Sequence, residues 1–334
     1  MTQFFTIGEN IHTTRVVKRN GKRATTLDNG TEVVSFINKA GTQDYLPVTE
    51  SHMQKQSYQE GHIKHIMLAI ESGMSDSEKG SRFLQSEILA QERKNVHFLD
   101  LNVDEISYKQ STQIAAMEWL VRLYQEIAST PPSIDSSSIN IIEAGLHQYK
   151  GVLGRPLINS AALERIETLD LVKDHNAQVI VTASGKESMP SNAEERVHNA
   201  KIMIEEATKR NIELSDIFVD LLVFPISVDS TFVTDYLEAV NALRNEFGQQ
   251  IHIIGGLSNV SFGLPKRKLI NEVFIKLAIQ NGVDGGIIDP IQTNIKEVLS
   301  LDLNSPATAI TADMLMGHDE FCVRYLQAFR TGKL

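Results

Sequence analysis

The sequence predicts a (β/α)8 barrel. Three observations carry the prediction: eight short apolar runs that read as strands, helical patterns between them, and a polar residue at the C-terminal end of almost every strand. After the first strand, the runs recur at intervals of roughly 20–40 residues, room for a helix and two loops. Eight such units most simply close into a barrel, where all the strand ends meet at one face. A doubly wound open sheet would spread them along an edge. No Gly-x-Gly-x-x-Gly follows an early strand, so a dinucleotide fold lacks support.

The elements follow in order. Residues 4–7 read as the first strand, and Gly8-Glu9-Asn10-Ile11-His12-Thr13-Thr14-Arg15 as a polar loop after it. Residues 16–58 fit no strong helical pattern and hold the turn signals Asn20-Gly21 and Asn29-Gly30, so they read as a hairpin-containing insertion. Residues 59–72 carry Ile63, Ile66, Met67 and Ile70 at helical spacing, and a second helix is expected over 77–90. Residues 96–103 form the second strand. The amphipathic helix over 113–128 puts Ile114, Met117, Val121, Tyr124 and Ala128 on one stripe.

Residues 132–135, 156–160 and 178–182 supply the third to fifth strands. Ser191-Asn192-Ala193-Glu194 resembles a capping box for a helix running to Arg210. Residues 216–220 and 251–254 are the sixth and seventh strands, 268–280 a helix stopped at Gly282, and 283–290 the eighth strand. A last helix is expected over 312–329.

Composition bounds the function. The chain has 334 residues, 42% hydrophobic and 22% charged, ordinary for a globular protein and enough for one large barrel domain spanning 1–334. The net charge of −10 argues against nucleic acid or an anionic membrane as the main partner. One cysteine, Cys322, excludes a disulfide framework or cysteine metal cluster within the chain. The N-terminus lacks the basic and apolar segments of a signal peptide, and no apolar run is long enough to span a membrane. A cytoplasmic protein is expected.

The chemistry sits at the strand ends. They carry Glu9 and Asn10, Asp100 and Asn102, Asp135, Asn159, Asp220, Ser258 and Asn259, and Asp289. Phosphate would call for Lys, Arg or helix-terminal amides. Carboxylates and amides suit instead the alternating donors and acceptors of a pterin edge, with a hard cation such as Mg²⁺ as the other ligand class. The run Gly255-Gly256-Leu257-Ser258-Asn259-Val260-Ser261-Phe262-Gly263 stands out. Its paired glycines let a ligand approach the backbone, and Asn259 can donate and accept at once.

The segments Leu99-Asp100-Leu101-Asn102-Val103, Ile134-Asp135-Ser136, Leu157-Ile158-Asn159-Ser160, Val219-Asp220 and Gly256-Leu257-Ser258-Asn259-Val260-Ser261 resemble the pterin-binding methyltransferases. These are the methyltetrahydrofolate:corrinoid methyltransferases and the folate-binding module of cobalamin-dependent methionine synthase, whose barrel is dihydropteroate-synthase-like. The resemblance runs from Ile7-Gly8-Glu9-Asn10 to the last strand, outside the insertion. It implies that Asp135, Asn159 and Asp220 hydrogen-bond the pterin ring, that Gly256 offers a backbone contact, and that Asn259 reaches N5 and is catalytic. It also implies Arg267 near the site, with Asp100 and Asn102 at the same mouth. Phe262 stands where the acetogen enzymes carry a polar residue, and there Asn-Val-Ser-Phe resembles methionine synthase.

The implied activity is methyl transfer between N5 of tetrahydrofolate or 5-methyltetrahydrofolate and the cobalt of a corrinoid (cobalamin). The sequence holds no cobalamin-binding module, so the corrinoid is expected on a separate partner protein, with the insertion forming part of its docking surface. No tightly bound metal is expected, since His62 and His65 stand three apart without further ligands. The family tendency is a homodimer.

Two alternatives remain at this point. Dihydropteroate synthase has a Ser-Arg-Lys run after strand seven and an Arg-x-His after strand eight, where this chain reads Leu257-Ser258-Asn259 and Ile288-Asp289-Pro290. A non-catalytic folate-binding protein would not need Asn259 and Arg267.

Overall fold

The computed structural model describes residues 3–334. Eight parallel strands form one sheet: β1 (Phe5–His12), β2 (Phe98–Asn102), β3 (Pro132–Asp135), β4 (Leu157–Ala161), β5 (Gln178–Thr182), β6 (Ile217–Asp220), β7 (His252–Ile254) and β8 (Gly285–Ile288). Their spatial order is β7-β6-β5-β4-β3-β2-β1-β8. The backbone bonds Asp284 N–H to Ile253 O at 3.1 Å and Ile287 N–H to Gly255 O at 2.9 Å join β8 to β7. The fold is the expected (β/α)8 barrel. Inward and outward faces are both covered, so the strands read as near-continuous apolar runs, as parallel sheets require. Contacts divide the chain into two compact units: Gly8–Asn159, and Ser160–Leu334 with the residues up to Ile7.

In the first unit, β1 runs five residues further than the apolar pattern suggested. Ile7 and Ile11 are both fully buried, and the polar residues among them belong to the strand instead of a loop. The Ala24–Thr26, Glu32–Ile37 and Gln43–Pro47 strands form a separate antiparallel sheet. Its first hairpin turns around Asn29-Gly30, with Gly30 at φ +84°. Its second turns at Asn38, whose Oδ1 accepts from the N–H groups of Ala40 and Thr42 at 3.0 and 3.1 Å. Asn20-Gly21 makes only a tight turn back to Lys18 O. The helix expected over 59–72 is broken. Its first part is the short helix Gln56–Gln59, then His62–Ile63 pairs as a strand with Val17–Lys18, and the helix proper is His65–Met74. His62 and His65 therefore do not share a helix face. The amphipathic helix Gln110–Ile127 buries Met117, Leu120, Val121 and Tyr124, each fully buried residue of this kind contributing about 2–3 kcal/mol.

In the second unit, helix Ala193–Lys209 is capped one residue later than the sequence suggested. Asn192 accepts from Glu195 N–H at 2.9 Å, and the Glu195 carboxylate accepts from Ser191 N–H at 2.7 Å. Away from the strand C-termini, Asp284 gathers Arg244 at 2.7 Å, the His252 ring at 2.8 Å and Ile253 N–H at 2.7 Å. The terminal helix is two helices, Pro306–Leu315 and Val323–Arg330. The chain breaks between them at Gly317, φ +77°, and at Phe321 and Cys322, φ +53° and +57°. Buried Asp319 caps the second helix through Arg324 and Tyr325 N–H, and the Tyr325 hydroxyl donates to Pro265 O at 3.0 Å. No described helix is long and apolar enough to cross a membrane.

Candidate functional site

Parallel register places the first group of polar strand ends. Across β2 and β3, Asp100 stands opposite Ser133 and Asn102 opposite Asp135; across β3 and β4, Asp135 stands opposite Asn159. Residues two apart share a face, so Asp100 and Asn102 point the same way. Two hydrogen-bonded groups result. The Ser133 hydroxyl donates to Asp100 Oδ1 at 2.6 Å, and the Asn159 amide donates to the same oxygen at 3.2 Å. The Asn102 amide donates to Asp135 Oδ2 at 2.8 Å. Asn159 therefore spends its N–H on Asp100 and keeps its carbonyl as acceptor. The loop after β2 is locked as well. Asp104 accepts from the Ser136 hydroxyl at 2.5 Å and from Ser137 N–H at 2.9 Å.

Charge is crowded here. Burial raises Asp100 to about 6, against the donors Ser133 and Asn159, with the Glu9 charge adding to the rise. Burial first, then the Asp100 charge, pushes Asp135 well above the carboxylate range. Each charge therefore makes the other costlier to form, and the two carboxyls bind protons as a pair. Asp135 is enclosed by protein yet keeps 20% of its side chain open, which lets a ligand reach it.

Sequence reasoning passed over His12, the last residue of β1. Its Nε2 lies 3.7 Å from Asp135 Oδ2. The usable signal was the pair of buried isoleucines at 7 and 11, which extend the strand through the polar residues. Glu9 is paired with Arg15 at 2.6 Å.

The second group stands on β6 and β7. Asp220 ends β6, and its Oδ1 accepts from Leu222 N–H at 2.8 Å. Leu222 takes the left-handed conformation, φ +65°, uncommon for a leucine. Arg196, fully buried, holds this turn from below by donating Nε–H to Leu221 O at 3.1 Å; its guanidinium lies 5.0 Å from the Phe224 ring. Nothing in the sequence marked Arg196. Burial raises Asp220 to about 6, opposed by the Leu222 N–H.

After β7, Gly255-Gly256 leads into the tight turn Leu257–Ser261. A Cβ on Gly256 would stand 2.8 Å from Asn259 Nδ2, so only glycine leaves that amide its place. Among the described residues the Asn259 side-chain amide bonds to no protein group, so neither its donor nor its acceptor is spent. Arg267 braces the turn. Its Nε donates to the Ser261 hydroxyl at 2.9 Å and its Nη2 to Ser258 O at 2.9 Å, and its guanidinium sits 4.4 Å from the Phe262 ring. Asp289 instead ties down its own loop through Ile291 N–H and the Gln292 amide.

The chain therefore assembles Asp100, Asn102, Asp135 and Asn159 in one unit, and Asp220, Gly256, Asn259 and Arg267 in the other. Carboxyls, amides and one unengaged asparagine can recognise a flat ring carrying alternating donors and acceptors.

The chain is similar to known proteins over much of its length. The chain is 28% identical over 264 residues to methylcorrinoid:tetrahydrofolate methyltransferase of Eubacterium limosum, covering 77% of this chain and 90% of that protein. It is 29% identical over 212 residues to methionine synthase of Mycobacterium leprae, covering 59% of this chain but only 17% of that much longer protein. Dihydropteroate synthase of Xanthomonas albilineans shares the fold, with a TM-score of 0.50 at 15% identity over 67% of this chain and 85% of that one. The family described as pterin binding enzyme matches residues 76–289, a span that includes the eight residues Asp100, Asn102, Asp135, Asn159, Asp220, Gly256, Asn259 and Arg267, and the chain belongs to that family.

Proposed function

We propose that this protein moves a methyl group between N5 of tetrahydrofolate and the cobalt of a corrinoid carried by a separate protein. The observation that carries the reading is Asn259, an unengaged amide on a turn held by Gly256 and Arg267. The methyltransferase relatives support it, since one is named for methylcorrinoid and tetrahydrofolate. Asp135, Asn159 and Asp220 are the proposed contacts to the pterin ring, with Asp100 and Asn102 setting the proton and orientation of Asp135.

The chemistry asks for such a residue. In one direction the N5–CH3 bond breaks, its electron pair stays on nitrogen, and the methyl passes to Co(I). A tertiary amine is a poor leaving group, so N5 must gain a proton or a hydrogen bond that strengthens as its electron density rises. The Asn259 amide supplies that hydrogen bond without titrating. In the other direction N5 attacks the methyl of methyl-Co(III), the C–Co bond breaks with its electron pair left on cobalt as Co(I), and N5 gives up a proton.

The test is spectrophotometric. The protein is mixed anaerobically with Co(I) cobalamin and 5-methyltetrahydrofolate, then with a co-purified corrinoid protein, and the Co(I) band is followed. Protein-dependent conversion to methyl-Co(III) is expected. Pterin binding with no methyl exchange on either acceptor would replace this reading with a non-catalytic folate-binding protein.

A further inference from the structure

One imidazole at the strand ends is still without a role. The Thr14 backbone N–H donates to His12 Nδ1 at 3.2 Å, and the Thr14 hydroxyl lies 2.7 Å from the same atom. A ring nitrogen that accepts from a backbone N–H carries no proton of its own, so the proton of the neutral ring is on Nε2. That nitrogen faces Asp135 Oδ2 at 3.7 Å.

The ring is neutral. Burial and the Arg15 guanidinium hold His12 at about 4, against the opposing charges of Asp104 and Glu105. The groups facing it are Asp135 on β3, Asp104 and Glu105 on the loop after β2, and Arg15 beyond its own strand. Glu9, also on β1, is drawn off by Arg15.

Asp135 Oδ2 already takes the Asn102 amide. To accept from the amino-substituted edge of a pterin, Asp135 must be ionised and must present its other oxygen. A second neutral N–H on Oδ2 favours both, because a donor to the charged form stabilises it. A cation there would instead compete with the ligand for the carboxylate.

We propose that His12 is a positioning residue for pterin recognition: its Nε2–H joins the Asn102 amide on Asp135 Oδ2 when pterin binds, leaving Oδ1 to accept from the 2-amino and N3–H groups. This rests on the reading that Asp135 meets the pterin.

Tetrahydrofolate binding, measured anaerobically by calorimetry between about pH 5 and pH 8, tests it with the unmodified chain, His12→Asn and His12→Gln. Glutamine places an N–H near the position of Nε2; asparagine satisfies Thr14 but does not reach Asp135. The asparagine variant is expected to bind about tenfold more weakly near neutral pH, with its binding curve moved about one pH unit upward. The glutamine variant is expected within about twofold of the unmodified chain, since its donor is restored. Equal losses in both variants at every pH, or an asparagine curve with the unmodified midpoint, overturn the proposal.

Nitrogen-15 NMR of the ligand-free chain supplies a readout independent of pterin. A neutral Nε2–H tautomer at about pH 6 is expected; an imidazolium or an Nδ1–H tautomer overturns the proposal by itself. An unmodified chain that binds no tetrahydrofolate overturns the pterin reading first, and this one with it.

Discussion

Asn102 and Asp135 stand directly opposite one another on adjacent parallel strands, and the asparagine amide donates to the aspartate Oδ2 at 2.8 Å. The pairing fixes which oxygen of Asp135 is left for a ligand. Asp135→Asn keeps the shape but turns a charged acceptor into a mixed donor and acceptor, and sets an amide before an amide. Tetrahydrofolate affinity is expected to fall at least tenfold, equivalent to about 1.4 kcal/mol or more. Titration calorimetry checks it, and an unaltered affinity moves the pterin elsewhere.

Asp220 gives a pH prediction. Its folded value of about 6 lies above the ordinary 3.8, so the folded chain holds this proton more tightly than the unfolded one. The stability associated with the protonated carboxyl is present below the ordinary value and is lost as pH rises through about 6. The loss is at most about 3 kcal/mol, reduced by the partial opening of the side chain to water. Asp220→Asn removes it. The variant is expected to melt at about the same temperature as the unmodified chain near pH 4, and a few degrees higher near pH 7.5, with weaker pterin binding at both. Scanning calorimetry at the two pH values decides; a difference that does not grow with pH contradicts the buried-carboxylate account.

Gly256 and Asn259 form a third test. Asn259→Ala is expected to lower turnover about a hundredfold or more while weakening tetrahydrofolate binding far less, the pattern of a group that acts as N5 gains charge. Gly256→Ala places a methyl 2.8 Å from Asn259 Nδ2, closer than the amide can tolerate in its present place. The amide is at the end of a flexible side chain and can move, so stability should change by less than about 1 kcal/mol while turnover falls towards that of Asn259→Ala. Full turnover in either variant removes Asn259 from the mechanism.

Arg267 is exposed, so its two hydrogen bonds are worth only about 1 kcal/mol to the fold. Its value is positional. Arg267→Ala is expected to reduce turnover about tenfold with a melting temperature shift of only a few degrees. A large thermal loss with normal turnover of the folded fraction would make it a structural brace alone.

Much of the barrel was legible because buried parallel strands write themselves as apolar runs, and because helix stops such as Gly282 leave a local mark. What was not legible depended on partners far along the chain. The extension of β1 through Glu9 and Asn10 is decided by neighbours such as Gln91, whose Oε1 accepts from Asn10 N–H. The break before His65 comes from pairing of His62 and Ile63 with Val17 and Lys18, which outweighs a helical spacing of isoleucines. The last helix is divided by Gly317, a stop of the kind seen at Gly282, and by the left-handed residues Phe321 and Cys322, which leave no such local mark. At the site, residue types and motif spacing pointed to Asp100, Asn102, Asp135, Asn159 and Asn259. They could not reveal that Asn159 would spend its amide on Asp100, or that His12 and Arg196 would be drawn in, since those are matters of register and burial.

The backbone bond from Phe5 N–H to Asp284 O, 2.7 Å long, ties the first strand to the approach of the last. During synthesis Phe5 must wait for the long stretch up to Asp284 to emerge before that partner exists. Contacts so distant in sequence are slow to close, and until then an apolar strand edge is left uncovered. Nascent chains halted before Asp284 should therefore be captured by chaperones and cleaved readily at their N-termini, and release from both should come abruptly once β8 has left the ribosome.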